Sequence, residues 1–131
     1  MSDRRVVQPP THTRPGRVFS PGIVHNGLLW ASGATGSDPG TGDIVEGGVA
    51  GQTRKALENL RLVAREAGTS LDHVLRLTVY LTDITNGLAP MNAAFAEVFP
   101  TDPPARSTIE VAGLARPGLL VEIDMVAAID E

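Results

Sequence analysis

Apolar and polar residues follow two rhythms along this chain, and the change from one to the other marks its elements. Val49, Thr53, Ala56, Leu57, Leu60, Val63, Ala64 and Ala67 recur at helical spacing and form one stripe. Arg54, Lys55, Glu58, Arg61 and Arg65 take the solvent side, and Gly68 supplies the expected C-cap. A second stripe of Leu88, Met91, Ala94, Phe95, Val98 and Phe99 predicts a shorter helix. Pro90 suits its first turn, and Pro100 with the TDPP run stops it. Elsewhere the period is two. Over 74–82, Leu75, Leu77, Val79 and Leu81 alternate with Arg76, Thr78, Tyr80 and Thr82, which predicts a strand with one apolar face. Apolar runs at 23–25 and 28–31 are linked by Asn26-Gly27, the dipeptide that a two-residue type I′ hairpin turn demands. A loop rich in Gly, Asp, Ser, Thr and Pro then runs to about Gly48.

Residues 103–128 read as two strands joined by a Gly/Pro connection. Arg106, Thr108 and Glu110 alternate with Ser107, Ile109 and Val111; Glu122 and Asp124 alternate with Val121, Ile123 and Met125. The element order predicts an α+β fold with two helices on one face of a mixed sheet. The helices are expected to cover the face of Leu75, Leu77, Ile109 and Ile123. The other face would carry Arg76, Thr78, Tyr80, Arg106, Thr108, Glu122 and Asp124, some of them on central strands. Solvent can cover such a face. Leu28, Trp30 and Val126 fall near it, however, and enlarge an apolar patch, so self-association accounts better for the pattern.

With 131 residues the chain fits one domain, 1–131, in which 1–16 is polar, proline-rich and expected to be a loose arm. No apolar run approaches a membrane span, and the N-terminus lacks a hydrophobic signal core. There is no cysteine, hence no disulfide framework and no thiol nucleophile; a reducing cytoplasm fits. The net charge of −4, scattered basic residues and 4% aromatics argue against a nucleic-acid binder.

Familiar catalytic constellations are missing. His12, His25 and His73 stand in different elements without metal-ligand spacing, and a surface or turn position is expected for each. Ser32-Gly33-Ala34-Thr35-Gly36 lacks the Lys-Ser/Thr of a phosphate loop. Ser32 and Ser107 have no identifiable histidine base. Arg106 stands out, because a guanidinium on an interior strand is costly to bury without an anion, and its planar fork suits a carboxylate. It pairs either with Glu122 or Glu110 in its own sheet, or with a ligand. Glu122 likewise is either a counter-ion or a carboxylate that holds a water or moves a proton.

The segments PPARSTIEVAGL and LVEIDMVAAI resemble the C-terminal signature of the Rid (reactive intermediate deaminase) family, a P-A-R-S segment followed by a V-E-I strand. The resemblance extends over nearly the whole chain, through LWASGATG, QTRKALENLRLVAREAGTSLDHVLRLTVYLTDI and MNAAFAEVF. It implies a chorismate-mutase-like fold and a homotrimer whose sheets line a central barrel, with ligand clefts between subunits. It also implies hydrolysis of 2-imino or 2-enamino acids to 2-oxo acids and ammonia, with no metal or organic cofactor. By the same resemblance Arg106 grips the substrate carboxylate and Glu122 orients the attacking water; backbone groups around Ser107 and Thr108 can satisfy the carboxylate's remaining lone pairs. Asn92 and Ser32 match cleft positions. Phe19 stands where the best-known deaminases have a tyrosine, and Thr108 where they have a cysteine. Phe19 and the long AGLARPGLLVEI connection resemble the aminoacrylate deaminases of pyrimidine breakdown. A non-catalytic binder of small 2-oxo acids would use the same arginine cleft, and ribonuclease activity fits the acidic charge poorly.

Overall fold

The computed structural model describes residues 3–129; Met1, Ser2, Asp130 and Glu131 lie outside the described residues. The strands are β1 (Arg5–Val7), β2 (Gly22–His25), β3 (Leu28–Thr35), β4 (Val74–Leu81), β5 (Ala105–Glu110) and β6 (Val121–Ala128). The helices are α1 (Gly48–Ala67) and α2 (Ile84–Val98). The strands form one sheet in the order β1-β2-β3-β6-β4-β5, with β4–β5 parallel and the other pairs antiparallel. Asn26 and Gly27 both take positive φ, as the hairpin turn requires. Gly68 caps α1 in the left-handed region, its N–H meeting the last-turn carbonyls of Ala64 and Arg65.

Both helices lie on the sheet face that carries Leu29, Leu77, Val79, Leu81, Val121, Ile123 and Met125, all buried. Leu57 and Leu60 of α1 and Met91 of α2 close the core from the other side.

Four expectations change. Within the segment expected to be a loose arm, Arg5–Val7 is anchored: Val7 is buried in β1, which pairs with β2, and the Arg5 guanidinium donates to the carbonyl of Ala67. Helix α2 begins four residues before Leu88, because Asp83 caps it by accepting from the Asn86 N–H, so Pro90 lies inside the helix rather than in its first turn. A β-bulge between Val74 and Arg76 interrupts strict alternation in β4, so Val74 is buried while Leu75 is half exposed.

The fourth change concerns β5, which is an edge strand and not an interior one. Register partners share a sheet face, and Leu77 pairs with Arg106, Val79 with Thr108 and Tyr80 with Ile109. Arg106 and Thr108 therefore stand on the helix-covered side, at its margin. Ile109 and Ser107 stand on the open side with Tyr80, Glu122 and Asp124. Trp30 and Ile109 leave that open face substantially apolar.

Candidate functional site

Two clusters of unspent polar groups emerge, on different faces of the sheet. The first is the margin between β5 and α2. One Arg106 nitrogen donates to Asn92 Oδ1 at 2.7 Å, and the other lies 3.9 Å from Met91 Sδ. The guanidinium carbon sits 4.8 Å from the centroid of the Phe95 ring, a cation–π contact. These neutral neighbours hold the fork in place without neutralising it. Among the described residues no carboxylate lies within 4 Å of Arg106, and burial pulls its pKa down from the ordinary value. An arginine stays protonated at neutral pH regardless, so this is a half-buried cation without a counter-ion.

Neither expected ion-pair partner reaches it. Glu110 accepts from the Ile84 N–H at the start of α2, and Glu122 lies across the sheet. Since the Val111 N–H donates to Leu81 of β4, strand alternation turns the Thr108 N–H outward, along the free edge. Arg106 and that outward N–H are two donors on the same edge strand, of the kind an anion takes up. Ser107 contributes differently, for its hydroxyl accepts from Arg76 on the opposite face.

The second cluster surrounds Glu122 on the open face. Its carboxyl group is half-buried, in register with Thr35 on one side and Tyr80 on the other. Burial first, and the Asp124 carboxylate second, push its pKa above the usual carboxylate range. Tyr80 Oη donates to Asp124 at 2.9 Å, which commits Asp124 and leaves Glu122 unpaired among the described residues. The bulge between Ala31 and Ala34 brings Gly33 against Glu122: a Cβ there would overlap the carboxyl group, so any larger residue would displace it from this position.

Ser32 sits in the same bulge, and its hydroxyl donates to the Ser20 carbonyl at 2.6 Å, which fixes the segment carrying Phe19. Phe19 is 58% exposed and stacks with the Arg17 guanidinium at 5.5 Å. Phe19, Ser32, Gly33, Glu122, Arg17 and Arg116 line one cleft of ≈ 630 Å³.

Simple alternation predicted that Arg106 and Glu122 share a face, and the register of β5 on β4 puts them on opposite ones. The row Glu122–Tyr80–Ile109 puts two strand spacings between them, about 10 Å, and a further three residues, about 10 Å, along β5. Asn92 and Thr108 belong with Arg106; Phe19 and Ser32 belong with Glu122. Gly33, Phe95, Arg17 and Arg116 were not singled out from the sequence. Only Gly33, beside Ser32 after an apolar strand, carried a local sign of close backbone approach. His12, expected at the surface, is buried, and burial together with Arg17 and Lys55 lowers its pKa, keeping it neutral.

The endoribonuclease L-PSP family model matches residues 11–129. A RutC family protein of Pyrococcus horikoshii is 40% identical over 87% of this chain and 89% of its own. A second, from Pyrococcus abyssi, is 36% identical over 87% and 88%. Among solved structures, YyfA of the Rid family from Yersinia pestis superposes with a TM-score of 0.88 at 37% identity, covering 97% of this chain and all of that one. RidA from an Antarctic Psychrobacter does so with a TM-score of 0.86 at 29% identity, over 95% and 99%. The fold of two helices on one mixed sheet coincides with these matches. This chain belongs to the endoribonuclease L-PSP family, in which the Rid and RutC proteins lie.

Proposed function

We propose that this protein hydrolyses reactive 2-imino and 2-enamino acids, such as 2-aminoacrylate, to 2-oxo acids and ammonia. In this reading the site is completed between copies of the chain. The observation that carries it is the separation of two unpaired groups: a desolvated cation at the β5 margin and a desolvated carboxyl on the open face. One small substrate cannot bridge them within one chain, but the free edge of one copy set against the open face of another can bring them together. The homotrimer that the Rid resemblance implies is such an arrangement, and it would also cover Trp30 and Ile109.

In this mechanism Arg106 and the outward Thr108 N–H bind the substrate carboxylate. An enamine first tautomerises to its imine, moving one proton from nitrogen to carbon. Glu122 takes a proton from water as the oxygen adds to the C=N carbon, and the nitrogen is protonated. Collapse of the carbinolamine expels ammonia and leaves the 2-oxo acid, so one water is consumed per ammonia released. The upward shift of the Glu122 pKa makes it a better proton acceptor than an ordinary carboxylate. Phe19 and Ser32 would bound the cleft on the Glu122 side, and Asn92 would hold the arginine fork.

A mixing experiment tests both claims, with imines supplied by an amino-acid oxidase or PLP lyase and ammonia as the readout. R106A and E122Q chains are each expected to be inactive alone. Co-refolded at equal amounts into random trimers, they should regain about a quarter of wild-type activity, the share of sites receiving both intact groups. No recovery in trimers shown by native mass spectrometry to be mixed would refute the divided site. A binder of 2-oxo acids would instead retain ligand affinity in E122Q while wild type leaves imine decay unchanged. An aminoacrylate-specialised enzyme would instead prefer the smallest side chains.

A further inference from the structure

The cleft beside Glu122 is larger than a three-carbon imine requires, at ≈ 630 Å³. Its charge is also opposite in sign to that of the whole chain, which is −4. Arg17, from the segment before β2, and Arg116, from the β5–β6 connection, reach it from separate loops, and Arg14 lies at its wall. Arg17 and Arg116 are both half-buried. Arg17 spends one nitrogen on the His12 carbonyl and lays its face on Phe19, while Arg116 makes no side-chain hydrogen bond among the described residues. No carboxylate of the described residues comes within 4 Å of either.

Against Arg14, Arg17 and Arg116, the two acids lining the cleft, Asp38 and Glu122, leave one formal positive charge in excess. Asp38 turns its carboxylate to the Gly40 and Thr41 N–H groups of its own turn. Burial and the Asp124 carboxylate raise the Glu122 pKa above the usual carboxylate range. Gathering cations around one apolar-walled cleft costs repulsion and desolvation unless an anion enters. The α-carboxylate cannot be that anion, since the proposed reading assigns it to Arg106 at the other wall. Resting on that reading, we propose that Arg17 and Arg116 bind a second, distal carboxylate, and that the preferred substrates are imines of dicarboxylic amino acids. The connection 111–120, whose length the sequence already singled out, is then a specificity loop. Gln52 anchors it by donating to the Gly118 carbonyl and accepting from the Leu120 N–H.

The test compares imines made in situ from glutamate and from alanine. Wild type should favour the diacid. R116A should lower kcat/KM for the diacid roughly 10-fold while changing the monoacid less than about two-fold, with R116K intermediate. A readout free of turnover is calorimetric binding of 2-oxoglutarate against 2-oxobutanoate: the diacid should bind tighter, more so at low salt, and R116A or R116Q should erase the difference. Equal affinity of wild type for both acids, or equal losses with both in R116A, overturns the inference. If R106A weakens both ligands but R116A does not discriminate, only the dicarboxylate preference falls. If R106A weakens neither, the deaminase reading itself falls.

Discussion

The β5–α2 margin and the open face around Glu122 solve opposite problems with comparable groups. At the margin a permanent cation is stripped of water and given neutral neighbours, namely Asn92, Met91 and the Phe95 ring. It stays charged because an arginine has no accessible neutral form, so the need for an anion is built in. On the open face the isolated group can change its charge, and burial beside Asp124 shifts it toward the protonated state. One region is therefore suited to holding a fixed charge, the other to moving a proton. The lesson is that equal degrees of isolation imply different chemistry once the titration range of each group is considered.

The largest effect expected is from R106A, which removes the carboxylate fork. A loss of about 4 kcal/mol, roughly 10³-fold in kcat/KM, should appear in the coupled ammonia assay, with R106K recovering only part. E122Q should cost about 10²-fold, mainly in kcat, because it keeps shape and loses proton transfer. The contrast sharpens if 2-oxo acid binding, followed by calorimetry, is lost in R106A and kept in E122Q. G33A should force Glu122 aside, lowering activity and costing about 1–3 kcal/mol in denaturant melts. A tolerated alanine there would sever the link between the bulge and the carboxyl.

Smaller effects probe the electrostatics. Y80F deletes the bond to Asp124 and should cost about 1 kcal/mol. Smallest is the pH dependence from Glu122. Its folded pKa lies above the unfolded value, so the folded chain binds more protons as pH rises past the ordinary glutamate range near 4.5, and stability falls across that window. E122Q should therefore gain a little stability over wild type at pH 7, and the gain should vanish below about pH 4. A gain that persisted in acid would point to packing instead of charge.

Much of the fold was legible in local pattern. The α1 stripe, its Gly68 stop, the Asn26-Gly27 hairpin and the alternation in β6 each follow from rules spanning a few residues. Failures came where a non-local contact outweighed the local rule. Val7 is held by pairing with Gly22, fifteen residues of chain away in its register partner's strand, so polarity around it misled. Asp83 starts α2 because its carboxylate reaches Asn86, and that cap overrides the expectation that Pro90 begins the helix. The bulge in β4 expels Leu75, which strict alternation had assigned to the core.

For the candidate site, sequence identified the individual side chains and tertiary structure decided their relation. Arg106, Thr108 and Glu122 stood out in the P-A-R-S and V-E-I segments, whereas Asn92, Ser32 and Phe19 entered only through the Rid resemblance. Alternation within β5 told only that Arg106 and Thr108 share a side. Which side was set by the parallel register of β5 on β4, where Leu77 lies beside Arg106. Periodicity fixes relative facing inside a strand, whereas absolute facing depends on the neighbouring strand, and that pairing joins residues far apart in the chain. By itself, then, the sequence determined the elements, their apolar faces and the chemical identity of the unpaired charges. Only the tertiary structure decided that those charges lie on opposite faces, because the packing of α2 over the β5 margin and the glycine bulge beneath Glu122 are both contacts between distant segments.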